Sequence, residues 1–234
     1  MPVLLPAEGL WFPPLTYASP EGLLAVGGDL SPQRLLLAYA HGIFPWYDAE
    51  SPILWWSPDP RCILPLEALR VPRRLARRLR QEPFDVTRDT AFAQVMERCA
   101  SSPRPGQNGT WLLPEMRAAY GRLHQMGFAH SVEVWRNGNL VGGLYGVALG
   151  RAFFGESMFH LEADASKAAL VRLVGWLREW GFLLLDCQQE TPHMTRLGAT
   201  MVPRQRFMAL LQRALERRDY ASSSCINGSW ASKS

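Results

Sequence analysis

Lysine is almost absent from this chain of 234 residues: of its 25 basic residues only Lys167 and Lys233 are lysines, so arginine supplies nearly all the positive charge. The net charge, +4, is mild. No apolar run reaches the roughly 18 residues that a membrane-spanning helix needs, so we expect no transmembrane helix. The short apolar stretch at the N-terminus has no basic region before it, which argues against a signal peptide.

Cysteine is also scarce. Cys62, Cys99, Cys187 and Cys225 are widely spaced, so they form neither the close pairs of a metal site nor a disulfide framework. We therefore expect a cytoplasmic protein that holds no metal. A hydrophobic content of 47% is enough to build a substantial core in a chain of this length.

A basic cluster occupies residues 70–80, which contain six arginines and no acidic residue. Val71, Leu75 and Leu79 recur at intervals of four and predict the apolar stripe of an amphipathic helix. The arginines left on its other faces are Arg73, Arg74, Arg77, Arg78 and Arg80. Such a face is either a solvated charged surface or a contact surface for a polyanion, and the pattern alone leaves both open.

Two carboxylates stand inside apolar, strand-like runs: Glu156 in FFGESMF at 153–159, and Asp186 in LLLDCQ at 183–188. Residues 165–180 between them predict one helix. A strand, a helix and a second strand bring two parallel strands side by side. Because a charge in apolar surroundings must be paired, we expect Glu156 and Asp186 to face one pocket and to mark a site.

The succession of elements predicts an α+β protein. Residues 1–64, rich in Pro, Gly and Trp, are expected to form a small N-terminal domain. Residues 65–220 combine helices with an antiparallel meander, then a crossover helix and another strand, which is the order of the N-acetyltransferase (GNAT-like) fold. The Ser-rich residues 221–234 are expected to be a disordered tail.

Local signals predict where some of these elements begin. Ser31 is expected to cap a helix, because Pro32 fits its first turn. Asp89 or Thr90 is expected to cap the helix that follows a short strand at 84–87.

Nine strings, in order and spread over about residues 10 to 215, resemble those of the leucyl/phenylalanyl-tRNA–protein transferase family. They are GGDLSP at 27–32, GIFPW at 42–46, ILWWSPDPR at 53–61, GTW at 109–111, HSVEVW at 130–135, LVGGLYG at 140–146, FGESMF at 154–159, ASK at 165–167 and DCQ at 186–188. The resemblance implies an enzyme that takes leucine or phenylalanine, less often methionine, from aminoacyl-tRNA. It joins that residue to the α-amino group of proteins beginning with Arg or Lys, and the new N-terminus marks them for degradation. No metal or coenzyme is implied.

The resemblance also assigns the catalytic residues. It points to Asp186 and Gln188, which lie two apart on a strand and hence on one face. Asp186 would hold the Gln188 amide, and the Gln188 carbonyl would accept from the attacking amine. Glu156 matches the family residue that handles the amine substrate, and an acidic site suits a basic acceptor.

The substrate's other parts need an apolar pocket, a stacking surface and positive charge. The expected pocket residues for the aminoacyl side chain are Leu144, Phe153, Met158, Leu170, Leu173 and Leu185. Trp46 and Trp111 match family positions for stacking on the 3′-terminal adenosine, and Tyr120 is expected to stack on it as well. Acceptor-stem phosphates would meet the arginines of the basic cluster.

Two other functions compete with this interpretation. A coenzyme A-dependent acetyltransferase of the same fold usually carries Gln/Arg-x-x-Gly-x-Gly/Ala at a helix start, whereas Arg172-x-x-Gly175 and Arg178-x-x-Gly181 lack the last small residue. A non-catalytic RNA-binding protein accounts for the arginines and tryptophans but not for the paired carboxylates. Cys187 is not expected to be a nucleophile, because a catalytic thiol needs an activating base.

Overall fold

The computed structural model describes residues 2–81, 84–102 and 112–216, and within them two β-sheets form. The strands are β1 (Val3–Leu5), β2 (Leu23–Gly27), β3 (Phe44–Pro45), β4 (Leu54–Trp56), β5 (Arg61–Leu64), β6 (Asp85–Arg88), β7 (Ala129–Arg136), β8 (Asn139–Leu149), β9 (Ala152–His160), β10 (Leu184–Gln188) and β11 (Thr200–Val202). The helices are α1 (Pro32–Ala40), α2 (Arg73–Gln81), α3 (Phe92–Ser101), α4 (Pro114–Gln125), α5 (Ala165–Glu179), α6 (Pro192–Arg196) and α7 (Arg204–Leu215). None of these helices is long and apolar enough to cross a bilayer.

The smaller sheet has the order β1-β2-β4-β3 and packs on α1. The predicted cap of α1 is confirmed, since the Ser31 side chain accepts a hydrogen bond from the Arg34 backbone N–H at 3.3 Å. Trp55 is fully buried and donates its indole N–H to the Gly27 carbonyl at 2.9 Å. The core of this part is continuous with that of the rest of the chain, since Trp55 and Tyr39 lie in the same buried cluster as Tyr120 and Phe154.

The larger sheet has the order β11-β5-β10-β9-β8-β7-β6. Strands β7, β8 and β9 form the predicted antiparallel meander, and β6 pairs with β7 at the edge of the sheet. The helix α5 then crosses over so that β10 pairs with β9 in parallel. The helices α3, α4 and α1 cover one face of this sheet and α5 covers the other. The predicted α+β class, a small N-terminal domain followed by a GNAT-like domain, is confirmed.

Strand β5 joins the larger sheet, where it lies between β10 and β11. A division of the chain at residue 64 assigns this strand to the small domain. We propose instead that the boundary lies just before Arg61, because both neighbours of β5 belong to the larger sheet. The predicted tail, 221–234, lies outside the described residues.

The expected cap of α3 is wrong, because that helix begins at Phe92. Asp89 has φ = 54°, and its carboxylate accepts from the Ser131 backbone N–H at 2.8 Å. Thr90 donates its hydroxyl to the buried Glu133 at 2.9 Å. The carboxylate of Glu133, from β7, accepts from the Ala91 N–H at 3.4 Å and so takes the place of a local cap.

Two glycine-to-alanine substitutions should change stability in opposite directions. At Gly146 in β8, an added Cβ would lie 2.2 Å from the Phe154 carbonyl oxygen, so Gly146→Ala should lower the free energy of unfolding by about 1–3 kcal/mol. At Gly175 in α5 nothing lies within 4 Å, so Gly175→Ala should raise it by up to about 1 kcal/mol through helix propensity. Urea unfolding measures both, and an equal effect of the two would contradict the packing described for β8.

Candidate active site

Two adjoining cavities lie beside the carboxyl-terminal parts of the parallel strands β9 and β10. We call the first the aromatic cavity, of about 310 Å³, because Phe44 and Trp46 of the small domain form one wall. We call the second the apolar cavity, of about 220 Å³, because leucines from β8, β10 and α5 line it. The two share Glu156, Met158 and Gln188 among their lining residues. The crossover connection thus brings the two predicted strings to one place.

The apolar cavity collects five of the six predicted pocket residues. They are Leu144, Met158, Leu170, Leu173 and Leu185, and Met194 of α6 adds a further apolar side chain. They converge because alternate residues of β8 and β10 and one stripe of α5 turn toward the same side of the sheet. The cavity has the size and lining of a site for one apolar side chain.

Phe153 does not line either cavity. It is fully buried, and its ring fills the space over Gly146, where an added Cβ would lie 2.5 Å from the Phe153 ring. The expectation that Phe153 belongs to the pocket is therefore wrong: the missing side chain of a glycine on the neighbouring strand draws the ring into the core.

Glu156 stands at the junction of the two cavities and is held by three donors. Its Oε1 accepts from the Tyr39 hydroxyl at 2.8 Å and from the Gln188 side-chain N–H at 3.1 Å. Its Oε2 accepts from the Tyr120 hydroxyl at 3.0 Å. Among the described residues that line the cavities, Glu156 is the one acidic side chain.

Burial raises the pKa of Glu156 to about 7, although the two tyrosine hydroxyls oppose the shift by donating to its carboxylate. The geometry agrees with a shared proton. The Tyr39 and Tyr120 oxygens are 2.5 Å apart and both touch Glu156, so three close contacts must use two hydroxyl protons. A third proton on the carboxyl group lets every contact be a hydrogen bond.

Gln188 reaches Glu156 because its backbone is turned out of the regular strand. The pairing of β10 with β5 shifts register between Asp186 and Gln188, and Gln188 has φ = 55°, which is uncommon for a residue with a side chain. Its side-chain Nε2 faces Glu156. The carbonyl Oε1 is therefore the amide atom left for a substrate that enters the cavities.

Asp186 is fully buried and does not line either cavity. Arg61 donates to both of its oxygens, with Nε–Oδ1 2.9 Å and Nη2–Oδ2 2.6 Å. The expectation that Asp186 holds the Gln188 side-chain amide is wrong, because its Oδ1 accepts instead from the Gln188 backbone N–H at 2.9 Å. Asp186 thus acts on the shape of the strand and does not touch the cavities.

The predicted aromatic residues are placed differently from one another. Trp46 lines the aromatic cavity, half-buried, with its ring edge-on to Trp56 at 5.7 Å. Trp111 lies outside the described residues. Tyr120 is fully buried and packs edge-on against Tyr145 at 5.6 Å. Stacking of an adenine on Tyr120 is therefore excluded, because its ring has no exposed face.

The basic helix α2 buries Leu75 and exposes Arg73, Arg74, Arg77 and Arg80. Arg78 is half-buried and donates to Asp164 at 3.3 Å. Asp164 also accepts from Lys167 at 2.6 Å, and that hydrogen bond is the largest cause of its lowered pKa. Arg78 therefore ties α2 to the start of α5, while the other four arginines face outward.

Cys187 lines both cavities but is poorly suited to covalent catalysis. Its hydrogen bond with the Cys62 thiol, and after that its burial, raise the pKa of Cys187 well above the usual value. The thiolate that nucleophilic catalysis requires is therefore suppressed. Among the described residues, no group of three or more His, Cys, Asp or Glu side chains could hold a metal ion.

Besides Phe44 and Met194, two residues that contact the predicted carboxylates were not predicted from the sequence. Tyr39, which donates to Glu156, follows the pattern of any core aromatic in a helix. Arg61 does carry a signal, because it is a charged residue at the start of the apolar run Arg-Cys-Ile-Leu, the same property that singles out Glu156 and Asp186.

Comparisons with known proteins agree on one family. A sequence model described as "Leucyl/phenylalanyl-tRNA protein transferase" matches residues 63–212, and one described as the N-terminal domain of that transferase matches residues 28–59. The chain is 64% identical over 211 residues to the leucyl/phenylalanyl-tRNA–protein transferase of Nitratidesulfovibrio vulgaris (strain DP4), covering 90% of each protein. It is 60% identical over 218 residues to that of Anaeromyxobacter dehalogenans (strain 2CP-C), covering 93% of each.

Solved structures are more distant. L-PGS from Bacillus licheniformis aligns with a TM-score of 0.40 and 12% identity, covering 70% of this chain and 52% of that one. A ribosomal-protein-alanine N-acetyltransferase from Brucella melitensis biovar Abortus 2308 aligns with a TM-score of 0.34 and 18% identity, covering 60% of this chain and 98% of that one. At such scores and identities, neither likeness bears on function.

Removing the Tyr39 hydroxyl should raise the pKa of Glu156 further above about 7, because this hydroxyl stabilises the carboxylate as a donor. Carbon-13 NMR titration of the glutamate carboxyl groups, assigned with Glu156→Gln, measures the shift in Tyr39→Phe. Tyr47→Phe is the matched control, because Tyr47 is also buried but donates to Glu115 at 3.4 Å. A lowered pKa in Tyr39→Phe, or an equal shift in the control, would contradict the hydrogen-bond network.

The same pKa affects stability. Because the pKa of Glu156 is about 7 in the folded protein and ordinarily 4.5, the stabilising contribution of its proton is fully present below pH 4.5. It is lost as the pH rises through about 7.

Proposed function

Because this chain belongs to the leucyl/phenylalanyl-tRNA protein transferase family, we propose that it transfers leucine and phenylalanine, less often methionine. Membership of that family makes it an aminoacyltransferase that uses aminoacyl-tRNA and protein substrates. The acceptor we propose is the α-amino group of a protein that begins with Arg or Lys. The product then carries a destabilising N-terminal residue that marks it for degradation.

The observation that carries this proposal is an apolar cavity with the Glu156 carboxyl group and the Gln188 amide at its mouth. The cavity's leucines and the unbranched Met158 suit a leucine, phenylalanine or methionine side chain. Discrimination among close apolar side chains is typically about 1–3 kcal/mol, so a range of donors fits such a site. Glu156 and Gln188 stand where the α-carbon end of that residue would emerge.

The reaction we propose is aminolysis of the aminoacyl ester. The neutral attacking amine forms a C–N bond to the carbonyl carbon and the ester C–O bond breaks. The departing ribose oxygen takes the proton that the nitrogen loses as the amide forms. The ester is already activated, so the site mainly supplies proximity and a free amine. Gln188 accepts a hydrogen bond from that amine through Oε1.

Glu156 is the proposed proton acceptor. An α-ammonium group has a pKa of about 7.7–8.0, close to the pKa of about 7 of Glu156, so proton transfer between them is nearly balanced. Asp186 is neutralised by Arg61, so the negative charge that faces the cavities comes from Glu156. That single acid also favours an acceptor that begins with a cationic residue.

The tRNA is proposed to lie along the small domain and α2. Its 3′-terminal adenosine stacks on Trp46 in the aromatic cavity, where stacking on one aromatic ring contributes about 1–3 kcal/mol. The four exposed arginines of α2 meet acceptor-stem phosphates, which adds affinity without reading sequence. Trp111, at a position proposed for the same adenosine, lies outside the described residues.

A transfer assay tests the proposed substrates. Radiolabelled leucyl-tRNA is mixed with the protein and with peptides that differ only in the first residue: Arg, Lys, Asp, Glu or Ala. Label is expected on the Arg and Lys peptides alone, because Glu156 is the one acidic group at the cavities among the described residues. Label on the Asp or Glu peptides would support the proposed aminoacyl transfer but reject the proposed preference for acceptors that begin with Arg or Lys.

A binding measurement separates this reaction from acetyl transfer. A short 3′-aminoacyl RNA mimic should raise the melting temperature, whereas acetyl-coenzyme A should leave it unchanged. The opposite pattern, together with no label on any peptide, would reject the proposed donor.

The triple variant Arg73→Ala, Arg77→Ala and Arg80→Ala should weaken leucyl-tRNA binding and flatten its salt dependence. Each lost phosphate contact should reduce the slope of log K against log salt concentration by roughly 0.7 to 0.9. The matched control, Arg98→Ala, Arg206→Ala and Arg213→Ala, removes the same charge from exposed positions on α3 and α7. Filter binding at several salt concentrations measures both, and equal slopes in the two triple variants would show that α2 is only a solvated face.

A further inference from the structure

Arg61 is a fully engaged cation in the core, 1% exposed. Its guanidinium donates to both oxygens of Asp186 at 2.9 and 2.6 Å, and to the Gly42 carbonyl at 3.1 Å. The rings of Phe44 and Phe207 lie 4.7 and 4.6 Å from its central carbon. The side chain is therefore fixed in position by charge, hydrogen bonds and cation–π contacts together.

The contacts continue from Arg61 to the cavities. The Asp186 oxygen that receives the Arg61 Nε–H also accepts the Gln188 backbone N–H at 2.9 Å. That backbone has φ = 55°, a strained conformation for a residue with a side chain, which persists only where its surroundings hold it. This backbone conformation directs the Gln188 side chain so that its Nε2 donates to Glu156 Oε1 at 3.1 Å.

We propose that Arg61 is a positioning residue for aminoacyl transfer: by holding the Asp186 carboxylate it fixes the backbone of Gln188 and so directs the Gln188 amide to the reacting amine. This inference rests on the function proposed above. Arg61 lines neither of the two cavities, so it acts through Asp186 and Gln188 and not on the substrate.

The small domain takes part in this arrangement. Gly42 and Phe44, which hold the guanidinium from one side, belong to the segment directly after α1. The helix α1 also carries Tyr39, which donates to Glu156. The same short stretch of the small domain therefore supports both polar groups at the mouth of the apolar cavity.

Arg61→Lys is the informative variant, because lysine keeps the charge but lacks the planar fork that binds two carboxylate oxygens and a carbonyl at once. Arg34→Lys is the matched control. Arg34 is likewise 1% exposed, donates to Asp29 at 3.2 Å and to the Gly9 carbonyl at 2.7 Å, and lies in the small domain away from the cavities. Both variants are assayed well below their unfolding temperatures.

The expected result is a selective loss of turnover. Arg61→Lys should lower kcat by about tenfold or more while changing KM for leucyl-tRNA less than about threefold, whereas Arg34→Lys should change both less than about threefold. If Arg61→Lys does not fold, Phe207→Leu removes one ring beside the guanidinium and should lower kcat in the same selective way, to a smaller degree. Equal kcat in the variant and the control would overturn the proposal.

A double variant tests the route of the effect. In a Gln188→Ala background, Arg61→Lys should cause little further loss of kcat, because the residue through which it acts is already gone. A full, additive loss in that background would show that Arg61 acts by another route.

One readout does not depend on the substrate. Hydrogen exchange of the Gln188 backbone N–H, followed by nitrogen-15 NMR, should become markedly faster in Arg61→Lys and stay unchanged in Arg34→Lys. Unchanged exchange in Arg61→Lys overturns the positioning role. If the wild-type protein transfers nothing from leucyl-tRNA, the proposed function is rejected. Faster exchange of the Gln188 N–H in Arg61→Lys would then still support the link from Arg61 to the Gln188 backbone.

Discussion

A charge that is removed from water must be paired, and in this protein that constraint joins the two sheets. The ion pair of Arg61 and Asp186 connects β5 to β10 inside the core, while Gly42 and Phe44 connect the same guanidinium to the small domain. Replacing one partner of such a pair leaves an uncompensated buried charge, which costs about 3–5 kcal/mol. The positions of β10, of its bulge and of the small domain thus depend on one another.

The environment gives the two predicted carboxylates different roles. Asp186 is neutralised by a guanidinium and shapes the backbone, whereas Glu156 meets two hydroxyls and an amide, and burial raises its pKa to about 7. Two acids with different surroundings and different roles are a common arrangement in enzymes. A site with a single acidic side chain among the described lining residues suits a reaction in which one proton must leave an incoming amine.

Local signals made part of the fold predictable. Asn137 and Gly138, with φ of 50° and 76°, form the tight turn that joins β7 to β8, and the Ser31 cap begins α1 where the sequence indicates. The smaller sheet was not predicted, because its strands have two to five residues and β1 pairs in parallel with β2 across a long loop. Short, non-local pairings leave little periodic trace in a sequence.

The candidate site shows the same division. Motifs identified Glu156, Gln188 and most of the pocket. They did not identify the hydrogen-bond partners, because Arg61, which pairs with Asp186, lies 125 residues away from it in the sequence. Tyr120 was misjudged because nothing in its sequence neighbourhood distinguishes a buried aromatic ring from an exposed one. Arg61 could have been found by asking of every charged residue in an apolar run which opposite charge pairs with it.

The position of β5 has a consequence for how the protein is made. This strand is synthesised early, yet both of its neighbours in the sheet, β10 and β11, come from residues 184–202. A growing chain on the ribosome therefore carries an unpaired strand and an unpaired arginine until the last part of the sheet has emerged. Such non-local pairing slows folding, and the site is complete only when residues 184–202 have paired with β5.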